Sequence, residues 1–465
     1  MTNHIHEITK TEIENLKTHL SGEVILPEDK VYDETRKVYN GMIDKHPAMF
    51  VMCAKVDDVV TAVNFAREND MRVAVRGGGH NGGGLGICDD GLVIDLSGIR
   101  FVEVNEKAKT VRVGGGNTWG EVDKATHSFG LAIPAGIISS TGVGGLTLGG
   151  GVGHLSRKYG LTIDNLLEAE MVLANGKVVT TNKDKHPDLF WAIRGGGGNF
   201  GIVTTFTFQS HAVTNVFGGP TLWPIEKTPE VLSWYQEFIE NAPDDLNGFF
   251  ATMTVPGPPF PEELHGKQFC GVVWCYVGDM KNAEKVFKPI LDMKPIFEHT
   301  GEMPYPAIQS LFDAMLPSGL QWYWRADFFD EINTGEAEIH VKYGSNMPSA
   351  LSQMHLYPIT GAASRVAKDA TAWAYRDAKY AGVIVGVDPD PKNAKAITNW
   401  CKDYWEDLHP FSSGGAYVNF MMNEGQARVK ASYRHNYDRL SKIKKQFDPE
   451  NLFCVNQNIL PATSE

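Results

Sequence analysis

At 465 residues the chain exceeds what a single hydrophobic core usually serves, so two domains are expected. Hydrophobic residues make up 42% and charged residues 21%, the balance of an ordinary globular enzyme, and the net charge of −13 excludes the basic footprint that nucleic-acid binding needs. No apolar run approaches the roughly 20 residues of a spanning helix, and the polar start MTNHIHEITKTEIENLKTHL lacks a secretory h-region, so a cytoplasmic protein away from membranes is expected.

Six scattered cysteines (53, 88, 270, 275, 401 and 454) are expected as reduced thiols. Cys270 and Cys275 have no second Cys or His pair at ligand spacing, so no metal site is expected. The 48 glycines cluster at 77–91, 114–120, 142–153 and 195–201, which points to several loops closing on one ligand.

Taken in order, Glu12–Leu20 and Val31–Tyr39 read as short helices. VMCA then reads as a strand, followed by an amphipathic helix with Val59, Val60, Val63 and Phe65 on its apolar side and Asp57 and Asp58 at its start. In MRVAVRGGGHNGGG, Val73 and Val75 alternate with polar or small residues as in an edge strand, and the chain breaks into Gly77, Gly78, Gly79, His80 and Asn81. Glycines at that density let the backbone approach a ligand closely and present N–H groups to a pyrophosphate.

Short strands GLVIDLS, FVEVN and TVRVGGG lead to a helix at Trp119–Phe129. EAEMVLANGKVVT reads as a hairpin turning at Asn175–Gly176, followed by a short helix in HPDLFWAIR and a strand in IVTTFTF. Beyond Asn215 the elements lengthen. Strands are expected in FATMTV, CGVVWCYVG and Gln353–Tyr357, and helices around Asn282–Phe287, Ala307–Leu316 and Asn393–His409. A YVNF strand and a helix at Asn436–Phe447 close the chain. Gln353 and His355 share one face of their strand with Tyr357, a polar spacing suited to a cavity wall. Tyr323 and Arg325 alternate similarly, with a core or surface role expected.

Four blocks in this order, RGGGH at 76–80, GVGGLTLGGGVGHLSRKYGLTIDNL at 142–166, GGGGNFGIVT at 195–204 and NYDRLSKIKKQFDPENLFCVNQNI near the end, resemble the FAD-linked oxidases of the vanillyl-alcohol oxidase and p-cresol methylhydroxylase superfamily. The branch most resembled is that of the berberine bridge enzyme-like proteins. The resemblance implies an α+β fold: a two-part FAD domain of the p-cresol methylhydroxylase type from residues 1–214 and 414–465, and an inserted substrate domain at 215–413 with an antiparallel sheet backed by helices. The GGGVG run is not a dinucleotide fingerprint, since it lacks the strand–G-x-G-x-x-G–helix setting.

The resemblance further implies a FAD bonded covalently through its 8α-methyl carbon to His80. Where doubly linked members carry a second, cysteine link, PAGIISSTG has Ile138, so a single bond is expected. Cofactor contacts are implied for Arg76, Gly77, Gly78, Gly79 and Asn81; for Ser140, Thr141, Gly144, Gly145, Gly149, Gly150 and Gly153; for Gly201, Ile202 and Val203; and for Asn419, Asn456 and Asn458. Tyr417 of Y-x-N-[YF] is the first candidate for the base, helped by Arg376 or Asn419, with His355, Gln353 and Tyr375 as further catalytic candidates. The glutamate of some alkaloid-oxidising members has no counterpart in AGVIVGV at 381–387. The implied reaction is hydride removal from a small alcohol, sugar or amine, with dioxygen reduced to hydrogen peroxide. A dehydrogenase with another acceptor and a flavin-carrying binding protein without turnover are the alternatives. The oligomeric state is not legible.

Overall fold

The strand–helix opening is present as Met49–Met52 and the helix Val56–Glu68, which buries Val59, Ala62, Val63 and Ala66. Its Asp58 carboxylate accepts the backbone N–H groups of Ser21, Gly22 and Ala54 at 2.8–3.1 Å, so the first turn is capped and the preceding segment is tied to it. The computed structural model describes residues 8–258 and 260–463. No described helix is long and apolar enough to cross a membrane.

A four-stranded sheet follows the order Glu23–Ile25, Met49–Met52, Leu92–Asp95, Val73–Arg76. The last strand is an edge, as its alternation predicts, and pairs parallel with Leu92–Asp95 so that Arg76 lies opposite Asp95. A five-stranded antiparallel sheet runs Val102–Asn105, Thr110–Gly114, Ile202–Gln209, Leu166–Val172, Val178–Asn182. The hairpin within it turns at Asn175–Gly176, where Gly176 has φ +78°.

An eight-stranded antiparallel sheet takes all its strands from residues 215–388. Its central path is Asn215–Pro224, Gln268–Tyr276, Leu246–Thr254, Gln353–Pro358, Tyr380–Asp388, Gln321–Phe329. Strand alternation gives this sheet two faces. Phe250, Ile384, Met354 and Leu356 pack against the helices Thr228–Asn241, Thr334–Gly344 and Ala394–Leu408. Phe249, Trp322, Trp324, Tyr357, Val383 and Val385 face the glycine-rich half of the chain.

The last segment returns to that half. Lys444, fully buried on the helix Tyr437–Phe447, donates to Asp448 at 2.6 Å and to the carbonyls of Asn199 and Phe453 at 2.7 and 3.0 Å. Its charge is therefore paired and its three donors are used.

Three expected elements differ. The Val31–Tyr39 helix is confined to Tyr32–Thr35, beyond which the chain is drawn to the glycine turn by the bond from Tyr39 N–H to Gly79 O. The helix expected at Ala307–Leu316 is Tyr305–Gln309; past Ser310 the chain runs irregularly, and Phe312 and Leu316 line the central cavity. YVNF is a 3₁₀ turn at Val418–Phe420 rather than a strand, because Asn419 and the Tyr417 hydroxyl bond to the second glycine cluster instead of to a neighbouring strand. The helices Thr228–Asn241 and Thr334–Gly344 were not anticipated.

Candidate active site

The glycine clusters meet around one cavity of about 340 Å³ that the eight-stranded sheet walls on one side. Two of them touch backbone to backbone: a Cβ on Gly78 would lie 2.5 Å from the Gly142 nitrogen, so neither residue tolerates a side chain. At Gly145 and Gly198 a Cβ would meet no protein atom and would project into the cavity space. A cavity walled in part by bare glycine backbone, with buried polar atoms such as Asn456 Oδ1 left without a partner, fits a dinucleotide-sized cofactor such as FAD.

Most of the expected cofactor residues line this cavity: Arg76, Gly77, Gly78, Gly79, His80, Asn81, Thr141, Gly144, Gly145, Gly201, Ile202, Val203, Asn419 and Asn456. Arg76 is held by an ion pair to Asp95, a 2.6 Å bond to Thr35 O and a position over the Phe50 ring, which anchors the start of the turn. Ser140, Gly149, Gly150, Gly153 and Asn458 lie outside the lining. Gly149 acts one step removed, since a Cβ there would overlap the Asn419 side chain. The main-chain carbonyl of Asn458 accepts from Gln426 at 3.0 Å.

His80 carries a neutral ring. Burial lowers its pKa to about 4, and Nε2 has no hydrogen-bond partner. The ring stacks on Tyr39 with centroids 3.7 Å apart and planes 19° apart.

On the sheet wall, Gln353, His355 and Tyr357 form a bonded row. His355 Nε2 lies 2.7 Å from Gln353 Oε1, and Nδ1 lies 2.8 Å from the Tyr357 hydroxyl. This network assigns the proton to Nε2, because Gln353 Oε1 only accepts, and leaves Nδ1 to accept the Tyr357 O–H. Ala251 and Val383 flank His355 across the neighbouring strands. Burial lowers the His355 pKa to about 4, so the imidazole is neutral at neutral pH. The Tyr357 phenol is raised, first by burial and then by the nearby Tyr417. Phe420 packs against both phenol rings, at 5.5 Å from Tyr357 and 4.8 Å from Tyr417.

Tyr417 is bonded in the opposite sense. Its oxygen accepts Gly151 N–H at 2.7 Å and Asn419 Nδ2 at 2.8 Å, and its own O–H finds no acceptor among the described residues. These donors favour the phenolate, but burial outweighs them and pushes the pKa up to about 12. Of the two expected helpers, Asn419 is in place. Arg376 is instead paired bidentately with Asp164 at 2.7 and 2.8 Å, and it is not among Tyr417's partners.

Tyr375 is also placed elsewhere: it stacks on Phe328 at 4.2 Å and donates to Ala431 O at 2.9 Å, outside the cavity lining. Arg325 is paired with Glu424 at 2.6 Å on the helix side of the sheet, a structural role as expected. Tyr39, Phe312, Trp322 and Trp324 were not anticipated in the lining. The alternation of Trp322 and Trp324 with Tyr323 and Arg325 is the signal that separates the two faces of their strand.

Known proteins resemble this chain in sequence and fold. Residues 47–182 match the model described as FAD binding domain, and residues 416–460 match that of berberine and berberine-like proteins. An FAD-linked oxidoreductase of Dictyostelium discoideum is 32% identical over 91% of both chains. The (R)-6-hydroxynicotine oxidase of Paenarthrobacter nicotinovorans is 39% identical, over 96% of this chain and 98% of its own. The structure of Physcomitrella patens BBE-like 1 superposes with a TM-score of 0.85 at 25% identity, covering 97% of this chain and 100% of its own. The chain belongs to the berberine bridge enzyme-like family of FAD-linked oxidoreductases.

Proposed function

We propose that this protein oxidises a small alcohol, sugar or amine by removing a hydride to a FAD bonded to His80, with dioxygen as the final acceptor and hydrogen peroxide as product. In this reading residues 1–214 and 414–465 hold the cofactor, and residues 215–413 hold the substrate. Bound FAD supplies the two-electron acceptor. The residues that would hold it are the glycine turn at 77–79, Thr141, Gly144, Gly145, Gly201 to Val203, Asn419 and Asn456.

The observation that carries the reading is the row Gln353–His355–Tyr357 in the same cavity as Tyr417, on a wall otherwise lined by Val383, Val385 and tryptophans. Burial of a flavin alone needs no such row. Hydride departure leaves a proton on the substrate O–H or N–H that a base has to take. The Tyr357 oxygen accepts that proton while its own passes to Nδ1 of His355, whose Nε2 keeps its proton and donates a hydrogen bond to Gln353 Oε1. Tyr417, with its O–H uncommitted, donates to the substrate heteroatom and holds it in place.

The test is a screen of neutral sugars, alcohols and amines, following anaerobic flavin bleaching and, on readmitting air, peroxide. Bleaching without peroxide reassigns the protein as a dehydrogenase with another acceptor. Failure of every class to bleach the flavin removes the proposal. Retention of yellow colour after acid denaturation, with the flavin on a peptide containing His80, tests the linkage. Quantitative release of free FAD refutes it.

A further inference from the structure

Among the described residues, Tyr39 is the one aromatic ring laid flat on His80, and it is held from several sides. Its N–H donates to the carbonyl of Gly79, the residue before the histidine, at 3.0 Å. Its own carbonyl accepts Gly319 N–H at 2.9 Å, and its hydroxyl donates to Leu316 O at 2.7 Å. Trp322 backs it with ring centroids 5.1 Å apart. Tyr39 is 5% exposed, so this platform is part of the packed interior.

We infer that Tyr39 is a positioning residue for the covalent attachment of the flavin: its ring fixes the plane of the His80 imidazole and aims a ring nitrogen at the 8α-methyl carbon. This inference rests on the proposed His80 linkage. In the step, a bond forms between that nitrogen and the methyl carbon. One methyl C–H bond and the imidazole N–H bond give up protons, and two electrons pass into the isoalloxazine. Dioxygen takes the two electrons and two protons as hydrogen peroxide, restoring the oxidised flavin. The uncharged state of the buried imidazole leaves a lone pair for the attack. A free imidazole rotates about two torsions, whereas one pressed at 3.7 Å on an anchored ring keeps one plane.

The substitutions Tyr39→Leu and Tyr39→Phe separate the ring from the hydroxyl. Tyr39→Leu removes the plane, and Tyr39→Met does the same should the leucine variant fail to accumulate. Tyr39→Phe keeps the plane and loses the bond to Leu316 O. Each protein is expressed and incubated with FAD in air. Total flavin is read from absorbance, and bonded flavin from fluorescence of the denatured band and from peptide mass.

Incorporation is scored as bonded flavin per total bound FAD, so weaker binding in a variant does not count as slower attachment. The rate of covalent incorporation is expected to fall by about 10²-fold without the ring, the cost of a misplacement near 1 Å. Tyr39→Phe should remain within about threefold of wild type. Incorporation in Tyr39→Leu or Tyr39→Met at the wild-type rate overturns the role of Tyr39 while leaving the linkage intact. Loss in Tyr39→Phe equal to that in Tyr39→Leu overturns the role of the ring. A wild-type protein that releases all its flavin on denaturation overturns the linkage and this inference together.

Discussion

Substituting Tyr357→Phe separates the two phenols as proton acceptors. At pH 7 a phenol with a pKa of about 12, as at Tyr417, is ionised in about one molecule in 10⁵, and reaching the phenolate costs about 7 kcal/mol. A neutral phenol can still act if it passes its own proton on, but Tyr417 O–H has no acceptor among the described residues. Tyr357 has one at 2.8 Å, the Nδ1 of an imidazole that stays neutral above about pH 4, so receiving the proton at pH 7 costs about 4 kcal/mol rather than about 7. Loss of a general base costs about 10²–10⁴ in rate. Tyr357→Phe is therefore expected to slow flavin reduction by that factor, measured by anaerobic stopped flow with whichever substrate bleaches the wild type. The wild-type rate should be level from pH 6 to pH 9 and fall near pH 4 as His355 gains its proton. A rate climbing about tenfold per pH unit through that range would instead identify the Tyr417 phenolate. That result, or a Tyr357→Phe rate within about threefold of wild type, refutes the relay.

Other outcomes follow from packing and charge. Tyr417→Phe leaves the N–H groups of Gly151 and Asn419 without their acceptor, and should lower unfolding free energy by about 1–3 kcal/mol in denaturant titration. Lys444→Met strands the buried Asp448 carboxylate and should cost about 3–5 kcal/mol by the same measurement. Gly149→Ala drives a methyl into Asn419 and should cost about 1–3 kcal/mol while also slowing flavin reduction, since Asn419 holds Tyr417. His154, His340 and His355 are buried, with pKa values lowered from 6.5 to about 4, 3 and 4. The unfolded chain therefore binds more protons below pH 6.5, so the unfolding free energy should hold above that pH and fall as pH drops toward 4, by up to about 1.4 kcal/mol per pH unit for each histidine, and the melting temperature should fall with it. A melting temperature unchanged between pH 7 and 4.5 contradicts this. Digestion and mass analysis should find one flavin–peptide bond, at His80; a second at any cysteine refutes the alignment of Ile138 with the linking cysteine.

Local pattern carried much of the architecture. The period of two in SQMHLY placed Gln353, His355 and Tyr357 on one face, and the structure keeps them there as a bonded row. Asp57 and Asp58 marked the start of the helix Val56–Glu68, and Asn175–Gly176 marked its hairpin, because caps and tight turns are built from residues adjacent in the chain. The glycine clusters announced several loops around one ligand, and they do converge on one cavity.

What the sequence could not express is which distant segments share that cavity. Tyr39 and His80 are 41 positions apart, and Tyr39 reaches Leu316 across 277, so no period links them. YVNF has the composition of a strand, but the bonds that decide its form run to Gly151 and to the Leu146 carbonyl, more than 260 residues earlier. The same cause took Tyr375 out of the cavity and gave Arg376 to Asp164, since each found a better-placed partner through the fold than along the chain. Short-range spacing therefore determined the elements and the chemistry they carry. The pairing of those elements, and with it the ionisation of Tyr417 and His355, was decided by burial and by hydrogen bonds that exist only once the chain has closed on itself.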